Sequence, residues 1–219
     1  MNVPDKRGRF ITIEGPDGAG KTTNFNYVQS LLEQAGLDVV RTREPGGTGL
    51  GEKLREVLLQ EQRVAIGANA ETLIIFAARA QHIEEVIKPN LAKGRWVLCD
   101  RFTDATYVYQ GHARALGAAR VAVLEDWVQG PLRPDLTLLL DIPVALAAKR
   151  VGARGTLDRF EHEDRQFKEA VRDGYLELAR SDPERIQLID ASQDLTAVQA
   201  DLAQVIGNLL TKLQSAIVC

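Results

Sequence analysis

Two spacings of apolar residues alternate along this chain, one typical of strands and one typical of helices. Short apolar runs have the composition of strands, and longer segments repeat apolar residues every three or four positions, as one face of a helix does. The predicted strands are Arg9–Glu14, Asp38–Thr42, Trp96–Cys99, Leu136–Leu140 and Ile186–Ile189. The predicted helices are Lys21–Gln34, Leu50–Leu59, Ala70–Lys93, Thr106–Tyr109, Gly117–Gln129, Val144–Arg150, Glu163–Arg180 and Leu195–Leu213. Gly36 suits the residue that ends the first helix, and Pro89 predicts a kink in the longest one.

The order of these elements predicts an α/β fold. Strands separated by helices imply right-handed crossovers and a five-stranded parallel sheet with helices on both faces. The continuous apolar run Trp96–Cys99 is typical of a strand buried on both sides. The length of 219 residues fits one large domain at about 150 residues per domain. With no repeat or linker along the chain, we expect a single domain over residues 1–219.

Composition and charge narrow the class of protein. Hydrophobic residues make up 45% and charged residues 26%, which is typical of a globular protein rather than a disordered one. No apolar run approaches the roughly 18 residues of a membrane span, and residues 1–9 are too polar for a signal peptide. Two cysteines, Cys99 and Cys219, make no disulfide framework, so a cytoplasmic location is expected. The net charge of −3 disfavours a general nucleic-acid binder.

A glycine-rich segment lies between the first predicted strand and the first predicted helix. It reads Gly-Pro-Asp-Gly-Ala-Gly-Lys-Thr and fits the phosphate-loop pattern G-x-x-x-x-G-K-[ST]. Glycines let backbone N–H groups converge on phosphate oxygens, and the helix N-terminus adds positive potential. Lys21 is expected to reach the β- and γ-phosphates, and the Thr22 hydroxyl to help hold Mg²⁺. The residues expected to bind ATP here are Gly15, Pro16, Asp17, Gly18, Ala19, Gly20, Lys21 and Thr22.

Other charged residues favour a kinase over other phosphate-loop proteins. No guanine-selecting Asn-Lys-x-Asp segment is present, which argues against a GTPase. Asp100 and Arg101 end a predicted strand, where their side chains face the crevice beside the phosphate loop. Asp100 is suited to hold Mg²⁺ through water or to orient the acceptor, and Arg101 to bind an acceptor phosphate. The alternative for this pair is a salt bridge at the strand end.

A second basic cluster runs from Lys149 to Glu161. Gly152 and Gly155 interrupt the helical pattern, which predicts a mobile arginine-rich lid over about residues 150–162. A kinase must bring cations over the transferring phosphoryl group and exclude water, and such a lid does both. The alternative is an exposed charge run with weak surface ion pairs.

Taken in order, these segments resemble the thymidylate kinase family. The chain also carries Arg43-Glu-Pro-Gly-Gly-Thr48, Phe76-Ala-Ala-Arg79, Tyr109-Gln-Gly111 and Asp190-Ala-Ser192, so the resemblance runs from residue 10 to about 195. It implies a phosphate-loop NTPase with a three-layer fold that transfers the γ-phosphate of ATP to dTMP. It also implies Mg²⁺ as cofactor, a homodimer, and no nucleic-acid or membrane partner.

The resemblance further implies roles for residues around dTMP. Asp17 matches a carboxylate on the 3′-hydroxyl of the sugar, and Arg43 and Arg101 match arginines on the phosphate. Arg79 matches the arginine that donates to the thymine carbonyl. The remaining expected contacts to the base or sugar come from Thr106, Tyr109 and Gln110, with the Tyr109 ring packed where a 2′-hydroxyl would be.

Two features of the sequence bear on how the thymine base is bound and on which residues the lid supplies. Family members commonly place a thymine-stacking phenylalanine four residues before the base-reading arginine, whereas here Ile75 holds that position and Phe76 lies three residues before Arg79. Phe76 is therefore expected either to stack on thymine or to pack in the core. Arg154 matches a catalytic lid arginine, and Arg150 is expected near the adenine or its phosphates.

The lid arginines, together with Gly18 in the phosphate loop, match the bacterial kind of the family. Glu161 is expected to support the lid or the metal site. The loop after Asp190 is expected to border the adenine. The expected catalytic residues are Lys21, Asp100, Arg101 and Arg154.

Two other functions remain open at this point. A deoxynucleoside kinase or another nucleotide kinase shares the scaffold, but a nucleoside has no phosphate for Arg43 and Arg101 to bind. A phosphate-loop switch or binding module would hydrolyse nucleotide slowly without an acceptor.

Overall fold

The computed structural model describes residues 7–60, 66–152, 159–160 and 162–218, with side chains as far as residue 215. Its strands are β1 (Phe10–Glu14), β2 (Val39–Arg43), β3 (Trp96–Asp100), β4 (Leu136–Asp141) and β5 (Ile186–Asp190). Its α-helices are α1 (Lys21–Gln34), α2 (Gly49–Leu59), α3 (Ala68–His82), α4 (Lys88–Ala92), α5 (Thr103–Thr106), α6 (Ala118–Gln129), α7 (Val144–Gly152), α8 (Arg165–Ser181) and α9 (Leu195–Val218). Two π-helical segments, Ile83–Ile87 and Tyr107–Ala113, complete the elements of the described residues.

The strands form one parallel sheet in the order β2-β3-β1-β4-β5. This confirms the predicted sheet, and each predicted strand boundary lies within one residue of the observed one. The central strand β1 is buried along its whole length. Because the strand order reverses on either side of β1, the crevice at its carboxyl end is the place where ligands bind in open α/β sheets.

Helices cover both faces of the sheet and make three layers. Side chains alternate across a strand, so Ile11 and Ile13 pack with α1 and α9 on one face. Phe10 lies in a separate cluster with Ile83 and Ile87. Glu14 also belongs to the face of Phe10, where it is the only charged residue of an otherwise uncharged strand. Within the described part of the chain, no helix has the length and apolarity to cross a membrane.

The structure corrects two predicted helices. The segment predicted as one helix from Ala70 to Lys93 is divided by the π-helical turn Ile83–Ile87, which ends two residues before Pro89. Proline has no N–H for the α-helical ladder, so the hydrogen-bond pattern changes near it rather than continuing. The short helix predicted at Thr106–Tyr109 begins earlier, at Thr103, and widens into the π-helical segment Tyr107–Ala113.

Candidate nucleotide and acceptor site

A cavity of about 210 Å³ opens at the carboxyl ends of β1, β2 and β3. It joins the phosphate loop to residues that follow β2 and β3 and to the inner face of α3. Most of the residues predicted from the sequence line it: Asp17, Gly18, Gly20, Lys21, Thr22, Arg43, Arg79, Asp100, Arg101, Thr106, Tyr109 and Gln110. The fold therefore brings the phosphate loop and the predicted acceptor residues to one place.

The phosphate loop requires glycine for steric reasons. Gly15 and Gly18 have φ of 138° and 86°, in the range that favours glycine. A Cβ at Gly15 would lie 2.5 Å from the carbonyl oxygen of Leu140, and one at Gly18 would lie 2.6 Å from that of Ala147. No side chain caps the N-terminus of α1, so its amides are available to an anion.

Lys21 and Asp17 form the charged centre of the loop. The Lys21 ammonium donates to the carbonyl oxygens of Gly15 and Pro16 at 3.0 and 3.1 Å and to Asp17 Oδ1 at 3.3 Å. Burial alone would raise the pKa of Asp17, but Arg101 and Lys21 outweigh it and lower that pKa to about 2. Burial together with the nearby charge of Arg101 lowers the pKa of Lys21 from its usual value. Asp17 is therefore an anion that positions two cations.

Arg101 is held from three sides. Its Nη2 donates to Asp17 Oδ1 at 2.6 Å, and its Nη1 donates to the Tyr175 hydroxyl at 3.2 Å. Its guanidinium carbon lies 5.1 Å from the centre of the Tyr109 ring. The backbone of Arg101 has φ of 68°, a left-handed conformation that costs free energy in a non-glycine residue. This conformation directs the residue into the crevice at the point where β3 ends.

Asp100 and Thr22 offer oxygen ligands on the same cavity. Asp100 Oδ1 is buried and has no hydrogen-bond partner among the described residues. Thr22 is exposed at the start of α1. No group of three or more acidic, histidine or cysteine side chains suited to a metal occurs within the described ranges. An unpaired carboxylate oxygen and one hydroxyl fit Mg²⁺, which keeps several waters and binds substrate phosphates rather than an all-protein cage.

Arg79 lies at the opposite end of the cavity in a buried network. Its Nε donates to Glu44 Oε2 at 2.7 Å and its Nη2 to Thr106 Oγ1 at 3.0 Å. Glu44 Oε1 is 2.8 Å from His82 Nδ1, and His82 Nε2 is 2.5 Å from Thr42 Oγ1. Burial would raise the pKa of Glu44, but Arg79 and His82 hold it below its usual value. The third nitrogen, Nη1 of Arg79, is buried and has no partner within the described chain.

Phe76 is not a wall of this cavity. Its ring lies 4.7 Å below the Arg79 guanidinium and is almost fully buried, while the preceding residue, Ile75, lines the cavity. One step along a helix turns a side chain by about 100°, so only one of these neighbours faces the ligand. Of the two roles expected for Phe76, the structure favours packing, here against Arg79.

Other predicted residues lie at the edges of the site. Arg43 is half exposed at the cavity wall, where it pairs with Glu52 at 2.6 Å. Arg150 donates to the carbonyl oxygen of Ala191 at 2.9 Å, so it lies beside the loop after β5 rather than in the main cavity. Arg154, Glu161 and most of the predicted lid fall outside the described residues.

Several residues that position the site were missed by sequence reasoning. Glu14 accepts hydrogen bonds from the Tyr175 hydroxyl at 2.7 Å and from the Phe102 amide at 2.6 Å, directly behind Arg101. Glu44 and Glu71 were also missed, although both are buried. One sequence signal was available, since a glutamate inside an apolar strand or an amphipathic helix face needs a partner.

The fold and the site together define a phosphate-loop NTPase whose phosphate loop opens into a cavity lined by arginines. The sequence model of the thymidylate kinase family matches residues 13–202. This chain therefore belongs to the thymidylate kinase family.

Individual relatives agree with this assignment. The thymidylate kinase of Pseudomonas putida strain F1 is 56% identical over 205 residues, which cover 94% of this chain and 98% of that protein. The thymidylate kinase of Pseudomonas savastanoi pv. phaseolicola is 56% identical over 203 residues, 93% of this chain and 97% of that protein. The thymidylate kinase of Ectopseudomonas mendocina is 55% identical over 203 residues, with the same coverage.

Proposed function

We propose that this chain transfers the γ-phosphate of ATP to dTMP and forms dTDP and ADP, as a single kinase domain. The observation that carries the proposal is one cavity with a phosphate loop at one end and the buried, unpaired Nη1 of Arg79 at the other. A buried donor without a partner is costly, so its presence supports a ligand acceptor such as the C4 carbonyl of thymine. Membership of the thymidylate kinase family supports the same reaction.

The residues between these ends divide into donor-side and acceptor-side groups. The phosphate-loop amides and Lys21 bind the β- and γ-phosphates of ATP. Arg101 and Arg43 bind the phosphate of dTMP, and Arg101 is already oriented by Asp17 and Tyr175. Catalysis in phosphoryl transfer rests on positioning and on stabilising charge, which these cations supply from both sides.

Asp17 makes the link between the two substrates. Its low pKa keeps it ionised at neutral pH, so it accepts a hydrogen bond from the 3′-hydroxyl of the deoxyribose while it holds Arg101. Tyr109 lies on the other side of Arg101 and packs against the sugar, where it excludes a 2′-hydroxyl. Arg154 acts on the transferring group and Arg150 on the adenine side, as the family resemblance implies.

Asp100 and Thr22 would hold Mg²⁺. The unpaired Oδ1 of Asp100 supports this role, because a buried carboxylate oxygen without a donor is suited to a cation or its water. When bound there, Mg²⁺ would supply positive charge against the negative charge that develops on the transferred phosphoryl group.

The chain forms a homodimer through α3 and α6. These helices pack side by side and leave large apolar side chains exposed: Leu73 at 54%, Val123 at 68% and Trp127 at 81%. Val123 and Trp127 are four residues apart and share one face of α6. Large apolar side chains exposed on neighbouring helices mark an interaction surface, and a second copy presents the same side chains in a two-fold dimer. Sedimentation should give a dimer for the wild type and a monomer for Trp127→Glu. The control Leu188→Glu, which changes an exposed leucine on β5, should remain dimeric.

A coupled assay of ADP release tests the reaction. With ATP and Mg²⁺, dTMP should be turned over faster than AMP, UMP or thymidine, and Lys21→Met should remove the activity. Thymidine as the better acceptor would instead indicate a deoxynucleoside kinase. ADP release at an equal rate without any acceptor would indicate a slow hydrolase.

A further inference from the structure

Glu71 is a buried carboxylate that the proposed reaction does not use. It lies on α3, and its side chain has no exposed surface. Gln110 Nε2 donates to Glu71 Oε1 at 2.8 Å, Arg159 Nη2 lies 2.5 Å from Oε2, and Arg114 Nε lies 3.5 Å from Oε1. A buried charge is costly unless it is paired, so a carboxylate kept here has a purpose in the structure or in the site.

The two arginines that face Glu71 are themselves fixed. Arg159 Nε donates to the carbonyl oxygen of Leu58 at 2.8 Å, and its guanidinium lies 4.5 Å from the Phe160 ring centre. Arg114 pairs with Glu163 at 2.5 Å and lies 4.6 Å from the Phe167 ring centre. The carboxylate of Glu71 is therefore held in one position, and Gln110 meets a fixed acceptor.

This contact determines which way the Gln110 amide faces. An amide has a donor end and an acceptor end of nearly equal shape, whereas a carboxylate only accepts hydrogen bonds. The nitrogen of Gln110 must therefore face Glu71. Because Gln110 also lines the main cavity, its oxygen is the atom left to meet a ligand.

An oriented Gln110 and the unpaired Arg79 give the cavity one acceptor and one donor. Thymine presents the complementary pair, an N3–H donor beside a C4 carbonyl acceptor. Cytosine presents the reverse, a bare N3 acceptor beside a C4 amino donor. Cytosine would set acceptor against acceptor and donor against donor, and both buried protein groups would stay unpaired.

We propose that Glu71 is a positioning residue that sets base specificity, because it turns the Gln110 oxygen toward the ligand and so selects a pyrimidine with an N3–H group. This inference rests on the proposed function and adds a residue that does not itself touch the substrate. Arg114 and Arg159 hold the carboxylate of Glu71 in the position that orients Gln110.

The variant Glu71→Gln tests the proposal. A glutamine at position 71 can donate or accept, so the Gln110 amide is free to turn over and donate from its nitrogen to the N3 acceptor of cytosine. The ratio of kcat/KM for dTMP to that for dCMP should fall by about tenfold to a hundredfold, with a gain in dCMP turnover. A purely structural role would lower both rates together and leave the ratio unchanged, and that result would overturn the proposal.

Two further variants sharpen the test. The control Glu125→Gln changes another buried glutamate, which does not line the cavity. Glu125 pairs with Arg133 at 2.9 Å and accepts a hydrogen bond from the Tyr107 hydroxyl at 2.6 Å. This variant should keep the wild-type ratio. The exchange Glu71→Gln with Gln110→Glu keeps one amide and one carboxylate in contact, and again leaves an acceptor facing the base. It should restore discrimination against dCMP, and it tests the proposal even where Glu71→Gln alone does not fold.

The outcomes separate this inference from the proposed function. Poor turnover of dTMP by the wild type would contradict the kinase assignment. An active wild type whose ratio survives Glu71→Gln, or an exchange variant that accepts dCMP, would overturn the role of Glu71 alone.

Discussion

The buried Glu14 should make the free energy of unfolding depend on pH, and the substitution Glu14→Gln should remove this dependence. Its carboxyl group is fully buried at the end of β1, between the Tyr175 hydroxyl and the Phe102 amide. Burial and the nearby charge of Asp104 raise its pKa, and Arg101 and the two hydrogen bonds only partly offset them. The result is a pKa of about 7, compared with 4.5 for an ordinary glutamate.

The sign and size of the effect follow from proton linkage. Between pH 4.5 and 7 the folded chain keeps a proton on Glu14 that the unfolded chain has lost, so stability falls as the pH rises through this window. Each unit of pKa difference corresponds to about 1.4 kcal/mol, so between pH 5 and pH 8 the loss is about 2 to 3 kcal/mol. Glu14→Gln keeps the shape of the side chain and cannot ionise, so it should lack this loss.

Urea unfolding at pH 5 and pH 8 measures the effect. The difference in free energy of unfolding between the two pH values should be about 2 to 3 kcal/mol larger in the wild type than in Glu14→Gln. Glu52 supplies the control. Slight burial would raise the pKa of Glu52, but its hydrogen bonds with Gly47 and Arg43 lower that pKa below the usual value. Any contribution of Glu52 to the pH dependence of stability therefore lies below pH 5. Glu52→Gln should therefore keep the wild-type pH dependence. An equal pH dependence in the wild type and Glu14→Gln would refute the reasoning.

Three further predictions concern single side chains. Glu44→Gln removes the charge that faces buried Arg79 at 2.7 Å, so urea unfolding should show a loss of about 3 kcal/mol, and an unchanged midpoint would contradict the pairing. Tyr109→Ala should raise the turnover of UMP relative to dUMP, which differ only at the 2′-hydroxyl; an unchanged ratio would remove Tyr109 from sugar selection. Burial and neighbouring carboxylates raise the pKa of the Cys99 thiol well above its usual value. In a Cys219→Ser variant, which leaves Cys99 as the single thiol, a thiol reagent at pH 8 should therefore label Cys99 only after unfolding. Rapid labelling of the folded chain would show that Cys99 is accessible.

Local patterns in the sequence were sufficient for the framework of this protein. The alternation of strands and helices predicts the parallel sheet, because side-chain period and crossover handedness are local or nearly local properties. The phosphate loop is also readable, since its glycines and Lys21 lie within a few residues of one another. The position of Asp100 and Arg101 at the end of β3 follows from the same reasoning.

The sequence was less able to predict how each helix is rotated about its axis, and therefore which of its side chains face the cavity. The sequence left two roles open for Phe76, and only the packing of α3 against its neighbours places Ile75 in the cavity and Phe76 beneath Arg79. Likewise, the π-helical segment that carries Tyr109 and Gln110 is not distinguished from an α-helix by its pattern of apolar residues.

The sequence by itself therefore determined the sheet, the phosphate loop and the family, because each depends on residues that are close together in the chain. Only the tertiary structure decided how the buried charges are paired. Glu14 meets Tyr175 across 161 residues, Arg101 meets Asp17 across 84, and Arg159 meets Glu71 across 88. Such contacts depend on strand order and on the packing of whole elements, and these partners orient the arginines and the glutamine that line the cavity.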